Sequence, residues 1–358
     1  MTDPVIAVEN LEKQFVADDD LFSRLLGWGE PKTVKAVDGV SLDVREGETF
    51  GIAGESGCGK TTLGETLLGL YEPTAGRVYY RGEDVTRRLQ EDPDLRTEVQ
   101  IIQQDPYKSI NPRFTVFNWV KEPLDVHDIG SHEERERRVL ETLELSGLRP
   151  AEAFADEYPS ELSGGERQRV GIARAIVLNP SFVVADEPTS MLDVSVRASI
   201  LDLLNRLQEE MGLAVLYISH DLSLLKHTCD RIAIMYLGKI VERGPGDQVI
   251  DDPKHPYAQA LVSSTPIVDP DKSREPIEIE GEVPDPIDLD PGCRFAPRCP
   301  AAMEECRAEE PPMYDVGRNH RARCILYDED FMATKSPDVP PELRVDGTEG
   351  TDQDAEAE

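Results

Sequence analysis

The stretch ETFGIAGESGCGKTTLGETLLGL constrains this chain more than any other, because an apolar run enters a glycine-rich loop and leaves it in a helical pattern. Within it GESGCGKT, Gly54 to Thr61, fits G-x-x-x-x-G-K-[ST] in the strand-before, helix-after context that the motif needs. The residue types follow from the chemistry of holding an anion. Glycines let backbone N–H groups curl round phosphate oxygens without a Cβ clash, and the following helix presents its positive end. Lys60 supplies a point charge to the outer phosphates, and the Thr61 hydroxyl can ligate magnesium. Cys58, inside the loop, reads as a small filler residue rather than a nucleophile.

Two further apolar runs end in chemistry. SFVVADEPTSMLD is a buried strand with Asp186 and Glu187 at its tip, where Asp186 would hold magnesium and Glu187 could polarise an attacking water. LAVLYISHDL is another such strand, ending at His220. PVIAVENLEKQF and AVDGVSLDV read as strands near the start, and SHEERERRVLETLELSGL as an exposed helical insert. Apolar strands alternating with helices imply an α/β fold with a mainly parallel sheet covered on both faces.

At 358 residues the chain is longer than one core usually supports, so two domains are expected. The pattern changes around PGDQVIDDPKHPYAQALVSS, which places a boundary near Gly244, and from about Ser336 the acidic sequence reads as a disordered tail. ADDDLFSRLLGWGEPK reads as an insertion folded on its own domain. The formal charge of −33, with no basic stripe, excludes nucleic acid as a partner. It reads instead as adaptation to a salt-rich cytoplasm, since at molar salt the Debye length falls to about 3 Å and the surface no longer repels itself. No stretch approaches the roughly 18 apolar residues that span a bilayer. The start, MTDPVIAVENLEKQF, lacks the flanks of a secretory signal, so a cytoplasmic chain is expected.

What selects among phosphate-loop proteins is ELSGGERQRVGIARAI. Leu162-Ser163-Gly164-Gly165-Glu166 resembles the signature of the ATP-binding cassette (ABC) family, with Glu166 where the usual form has glutamine. A serine and two glycines opening a helix also make an anion site in their own right. The resemblance implies a P-loop NTPase of ABC type, a mixed-sheet core with a helical subdomain. The ranges expected are residues 1–244 for this domain, with the helical subdomain at about 105–180, then 245–335 for a small C-terminal metal-cluster domain and 336–358 for the tail. It implies ATP contacts from Phe15 (adenine stacking), Gly54, Glu55, Ser56, Gly57, Cys58, Gly59, Lys60, Thr61 and Thr62. Across the dimer they come from Ser163, Gly164, Gly165, Glu166 and Asp193, the last in Ser190-Met191-Leu192-Asp193, where Met191 replaces a smaller residue. Gln104, before Asp105-Pro106, matches the glutamine that touches magnesium or water, a closer match than Gln103. Magnesium is thus assigned to Thr61, Gln104 and Asp186, and catalysis to Glu187, Lys60 and His220, which matches the switch histidine on the γ-phosphate.

Three stretches, QQDPYKSINPRFTV, HPYAQALVSSTP and GEVPDP followed by GCRFAPRCP, are similar to the oligopeptide/dipeptide importer branch, over about Val5 to Leu326. GESGCGKTTLG is closer to the second ATPase of such importers than to the first. The resemblance implies ATP hydrolysis that powers peptide import at the cytoplasmic face of the membrane. The partners implied are a second ABC ATPase (a copy or a relative), two permeases and, indirectly, an external substrate-binding protein. A nickel or sugar importer and a non-transport ABC ATPase stand as alternatives. Cys293, Cys299, Cys306 and Cys324, spaced C-x5-C-x6-C-x17-C, indicate a four-thiolate metal site that suits zinc or an iron-sulfur cluster by ligand softness. Resemblance to the importer branch implies a [4Fe-4S] cluster there, with Zn2+ as the alternative. Such a site would supply folding free energy to a segment poor in apolar residues. Cys229 reads as a buried helix residue.

Overall fold

The computed structural model describes residues 3–16, 32–105, 110–265, 276–279, 281–287 and 289–334. The segment LFSRLLGW, Pro106 and the expected tail lie outside the described residues. In chain order the main elements are β1 (Pro4–Val16), β2 (Thr33–Arg45), β3 (Thr49–Ala53), α1 (Lys60–Leu67), β4 (Ala75–Tyr80), β5 (Glu83–Asp84) and β6 (Val99–Ile102). Then come α2 (Val116–Val126), α3 (His132–Leu145), α4 (Gly164–Ile176), β7 (Phe182–Asp186), α5 (Val194–Met211), β8 (Ala214–Ile218) and α6 (Leu222–Thr228). The last are β9 (Arg231–Tyr236), β10 (Lys239–Pro245), α7 (Pro256–Ser263), β11 (Tyr314–Gly317) and β12 (His320–Ala322).

The strands form a four-stranded sheet in the order β2-β1-β4-β5 and an eight-stranded sheet in the order β11-β12-β10-β9-β3-β8-β7-β6. The wholly buried runs of β3, β7 and β8 have a direct cause in the large sheet. Along β8, Val215 and Tyr217 join the core under α5 and α6, while Ala214, Leu216 and Ile218 join the core shared with the small sheet. Successive side chains of a strand point to opposite faces, and here both faces are covered. Burying one such residue is worth about 1.5–3 kcal/mol, so a polar residue anywhere in the run would cost one core or the other. The α2, α3 and α4 helices enclose a third core around Val120, Leu124, Val139, Leu143 and Val170.

The sheet is less parallel than its apolar runs suggest. β6, β7, β8, β3 and β9 are mutually parallel, but β10 folds back antiparallel on β9 through Leu237-Gly238, both with positive φ, the geometry of a tight hairpin turn. The small sheet is antiparallel throughout. No helix among the described residues is long and apolar enough to cross a membrane.

The C-terminal part corrects the expectation of a small metal-cluster domain. Its strands continue the main sheet, since β12 pairs with β10 (Glu242↔Ala322, Arg243↔Arg321) and β11 pairs with β12. Among the described residues its own apolar cluster fully buries only Ala301 and Leu326, too little for an independent core. What holds the segment is Phe295, buried in the main core, together with a set of polar contacts. Glu242, fully buried, lies 2.7 Å from His320 Nε2 and accepts from the backbone N–H of Lys254 and of His255, the latter at 2.6 Å. Arg294 donates to Asp38 and to the Leu237 carbonyl, and Lys35 N–H donates to the Pro286 carbonyl at 3.0 Å.

His255 caps α7, its Nδ1 accepting from Tyr257 N–H at 3.1 Å, with Glu242 and Arg323 the charged groups around it. Burial, and secondarily the Arg323 charge, pushes its pKa down from 6.5 to about 3. Above pH 6.5 the ring is neutral folded or unfolded and its contribution is complete. Below that value the unfolded chain gains a proton that the folded chain refuses, so stability drains away until about pH 3. Between pH 6.5 and 5 the loss amounts to about 2 kcal/mol. Melting of the full chain and of His255→Asn at pH 7 and pH 5 should show the smaller drop in the variant, and equal drops would refute the assignment.

Candidate active site

β3, β8 and β7 lie side by side and parallel, so their C-terminal ends deliver Gly54, His220 and the Asp186-Glu187 pair to one edge of the sheet. Crevices at the carboxyl ends of such strands are where this class of sheet binds its ligands. The loop after β3 is held by close approach. A Cβ on Gly54 would fall 2.2 Å from the Met235 carbonyl and one on Gly59 1.9 Å from the Ala36 carbonyl, and both glycines have positive φ. Only glycine fits there. Lys60 Nζ, almost buried, donates to the carbonyls of Gly54 (2.9 Å) and Glu55 (3.0 Å). Cys58 is buried beneath the loop and burial pushes its thiol pKa up, which fits a filler rather than a nucleophile.

At the tip of β7, burial pushes the Asp186 carboxyl pKa up against the pull of a hydrogen bond from Thr61. Its Oδ1 is buried with no hydrogen-bond partner among the described residues. An orphaned carboxylate oxygen next to a threonine hydroxyl and the phosphate loop is the donor set that magnesium takes, so these residues fit the ion. Glu187 has φ 44, a strained value for a side chain of its size. Its N–H donates to the Ile218 carbonyl at 2.9 Å, and its own carbonyl accepts from Ser190 N–H at 3.1 Å. So fixed, the carboxylate stands between two partners: Gln104 Nε2 donates to Oε2 at 2.7 Å and His220 Nδ1 lies 3.0 Å from Oε1. A cavity of about 400 Å3 next to it is lined by Gly54, His220, Asp221 and Leu261.

The signature residues stand apart from this edge. Ser163 caps α4, its Oγ accepting from Glu166 N–H at 3.3 Å while Glu166 Oε2 accepts from Ser163 N–H at 2.7 Å. The glutamate suits that position because it completes a capping box and opposes the helix dipole, and those bonds hold its carboxyl below the usual range. As placed, Glu166 serves the helix start. A Cβ on Gly165 would fall 2.7 Å from Val196, so α4 begins against α5. Asp193 precedes α5, flanked by Met191 and Val194, which are 62% and 82% exposed. No hydrogen bond or ion pair found among the described residues joins these signature residues to the phosphate loop.

Phe15 is half-buried and not part of the core. It meets Tyr71 edge-on at 5.2 Å, with Lys13 Nζ 5.0 Å from one ring and 5.5 Å from the other. Tyr71 and Lys13 escaped the sequence reading, as did Tyr257 and Arg298, both of which touch Glu55. Tyr257 lay in plain view in HPYAQAL, where its only apparent value was as a family mark.

Cys293, Cys299, Cys306 and Cys324 do converge, lining one apolar cavity with Phe295, Ala301, Met303 and Leu326. The expected metal ligation is nevertheless unsupported. Among the described residues no group of three or more His, Cys, Asp or Glu side chains is arranged to hold a metal ion, and the cavity measures about 20 Å3. Burial pushes the Cys299 thiol up to about 12 and raises those of Cys293 and Cys324.

Two family descriptions match the chain: "ABC transporter" over residues 37–190 and "Oligopeptide/dipeptide transporter, C-terminal region" over residues 241–306. The chain is 47% identical over 328 residues to the putative oligopeptide transport ATP-binding protein YkfD of Bacillus subtilis, covering 90% of this chain and 96% of that one. It is 41% identical to the dipeptide transport ATP-binding protein DppF of Escherichia coli (91% and 96% covered). It is 45% identical to the oligopeptide transport ATP-binding protein OppF of Salmonella typhimurium (84% and 90%). Among solved structures it resembles a dimeric ATP-binding cassette in a post-hydrolysis state with ADP and Pi. That likeness has a TM-score of 0.57 at 30% identity, over 67% of this chain and 98% of that one.

If Asp186 and Thr61 hold magnesium, Asp186→Asn should raise the Mg2+ needed for half-maximal ATP binding by about 10–100-fold, the scale for losing an oriented group at a metal. Titration of Mg2+ against bound nucleotide reads this directly, and an unchanged midpoint would remove Asp186 from the site.

Proposed function

The chain belongs to the ABC transporter ATPases of the oligopeptide/dipeptide importer family, and on that footing we propose how its own residues run the cycle. It is an ATP-hydrolysing subunit that powers peptide import, working with a second ABC ATPase, two permeases and an external substrate-binding protein. Its place is the cytoplasmic face of the membrane, reached through the permeases. The observation that carries the mechanism is the Glu187 carboxylate held between Gln104 and His220 at the end of the strand that also bears Asp186.

ATP lies with its phosphates in the loop from Gly54 to Thr62, Lys60 contacting the outer phosphates and Phe15 stacking on the adenine. Thr61, Asp186 and Gln104 are the residues that would hold magnesium, which neutralises charge on those phosphates. Glu187 orients the attacking water or takes its proton, while His220 turns from the carboxylate to the γ-phosphate. The water oxygen bonds to the γ-phosphorus, the bond to the β-phosphate bridging oxygen breaks, and ADP and phosphate leave. Ser163, Gly164, Gly165 and Asp193 complete the site of the partner subunit. Their separation from the chain's own loop, together with exposed Met191 and Val194, supports that division. Glu166 assists by capping the helix that presents them.

The permease contact lies on the surface from Gln104 to Phe117, of which residues 106–109 are outside the described part. A cavity of about 300 Å3 beside it, lined by Gln103, Trp119, Gln168 and Arg174, supports docking at the junction of sheet and helical subdomain. The [4Fe-4S] reading, or zinc in its place, is supported by four thiols that face one cavity. The salt-adaptation reading rests on charge alone.

Glu187→Gln should lower ATP turnover by about 10²–10⁴ while leaving ATP bound. Near-normal hydrolysis in that variant would remove the carboxylate from its role. Anaerobic purification followed by iron, sulfide and zinc analysis should yield a cluster if the four cysteines ligate one, and a colourless, metal-free protein would overturn that assignment.

A further inference from the structure

Glu55 places a carboxylate in the one loop of this protein whose work is to gather phosphates. The chain as a whole is already strongly acidic, with a net charge of −33. What compensates that carboxylate comes from the appended segment. Arg298, the residue before Cys299, meets Glu55 in a two-pronged pair: Nη1 donates to Oε2 at 2.8 Å and Nη2 to Oε1 at 3.2 Å. The arginine side chain is 9% exposed and the glutamate 27%, so the pair is screened little by solvent. Nη1 also reaches the Tyr236 hydroxyl at 3.3 Å. The same loop residue is pinned through its backbone, Glu55 N–H donating to the buried Tyr257 hydroxyl at 2.9 Å. Phe295 packs against Tyr236 and Tyr257 with ring centroids 5.4 and 5.3 Å away, which fixes the segment carrying Arg298.

We propose that Arg298 is a positioning residue for nucleotide binding: its guanidinium neutralises the Glu55 carboxylate and holds it aside, so that the loop meets the triphosphate without a bare negative charge. The inference rests on the reading of Gly54 to Thr62 as the ATP site. Planar, bidentate pairing is the geometry that arginine supplies and lysine does not. Removing the guanidinium would leave a partly buried, unpaired carboxylate in the phosphate-binding loop, which disfavours a second negative charge there. Under this proposal the C-terminal segment contributes to the ATP site by charge as well as by packing.

The test measures ATP affinity of the full-length chain by calorimetric titration, with melting temperature as a control for folding. Arg298→Ala should bind ATP about tenfold more weakly, and 1 M salt should shrink that defect. The decisive variant is the double substitution Glu55→Gln with Arg298→Ala, which deletes the stranded charge. The double variant should bind ATP clearly more tightly than Arg298→Ala alone, because the arginine acts through that carboxylate. If Arg298→Ala does not fold, Arg298→Lys, expected to bind about threefold more weakly with the same rescue by Glu55→Gln, carries the test. A parent that binds ATP together with an Arg298→Ala that binds equally well would overturn the positioning role alone. So would a double variant as weak as the single, which would mark Arg298 as merely structural. A parent that binds no ATP would overturn the site itself and this proposal with it.

Discussion

The wedging of the phosphate loop between two carbonyl groups is the constraint on which the rest of the molecule turns. Gly54 presses on Met235, at the end of β9, and Gly59 on Ala36, in β2. The loop is thereby clamped between a strand of the large sheet and a strand of the small one, and its position depends on how the two sheets pack. Phe50, Ile52, Leu63 and Leu67 share one core with Val5, Ile6, Val8 and Leu11 of the first strand, which makes that packing stiff. A site for a highly charged ligand thus rests on apolar contacts that never meet it.

The catalytic edge follows from the same parallel packing. Because β3, β8 and β7 end level with one another, a loop, a histidine and two carboxylates separated widely in sequence arrive together without any long-range polar steering. The carboxylates then diverge in character. Asp186 is buried with one oxygen unmatched, while Glu187, one residue on, is turned outward by a left-handed backbone and takes two polar partners. A single strained residue separates a buried carboxylate with an unmatched oxygen from one held between two polar side chains.

The parts legible in the sequence were those dictated by local pattern. Glycines at Gly54 and Gly59, carboxylates ending an apolar strand at Asp186 and Glu187, and the serine-led helix start at Ser163 each carry their reason within a few residues. Arg298 and Tyr257 do not, since they reach Glu55 across 243 and 202 residues and only the folded sheet brings them there. The antiparallel return of β10 was hidden for another reason: KIVERGP holds only two aliphatic residues beside three charged ones, and its direction is set by pairing with β9. The four cysteines show the opposite limit. Spacing indicated that Cys293, Cys299, Cys306 and Cys324 gather, and they do, but the room left between them is a matter of packing by Phe295, Met303 and Leu326 that spacing does not encode.

The pairing of β12 with β10 bears on how such a chain can be rearranged in evolution. Glu242 is enclosed by His320 from one side and by the backbone of Lys254 and His255 from the other. A cassette that lost everything after β10 would bare a strand edge, open Glu242 to solvent and remove all three of its partners at once. The appended strands therefore close the main sheet at that edge as well as extending the chain.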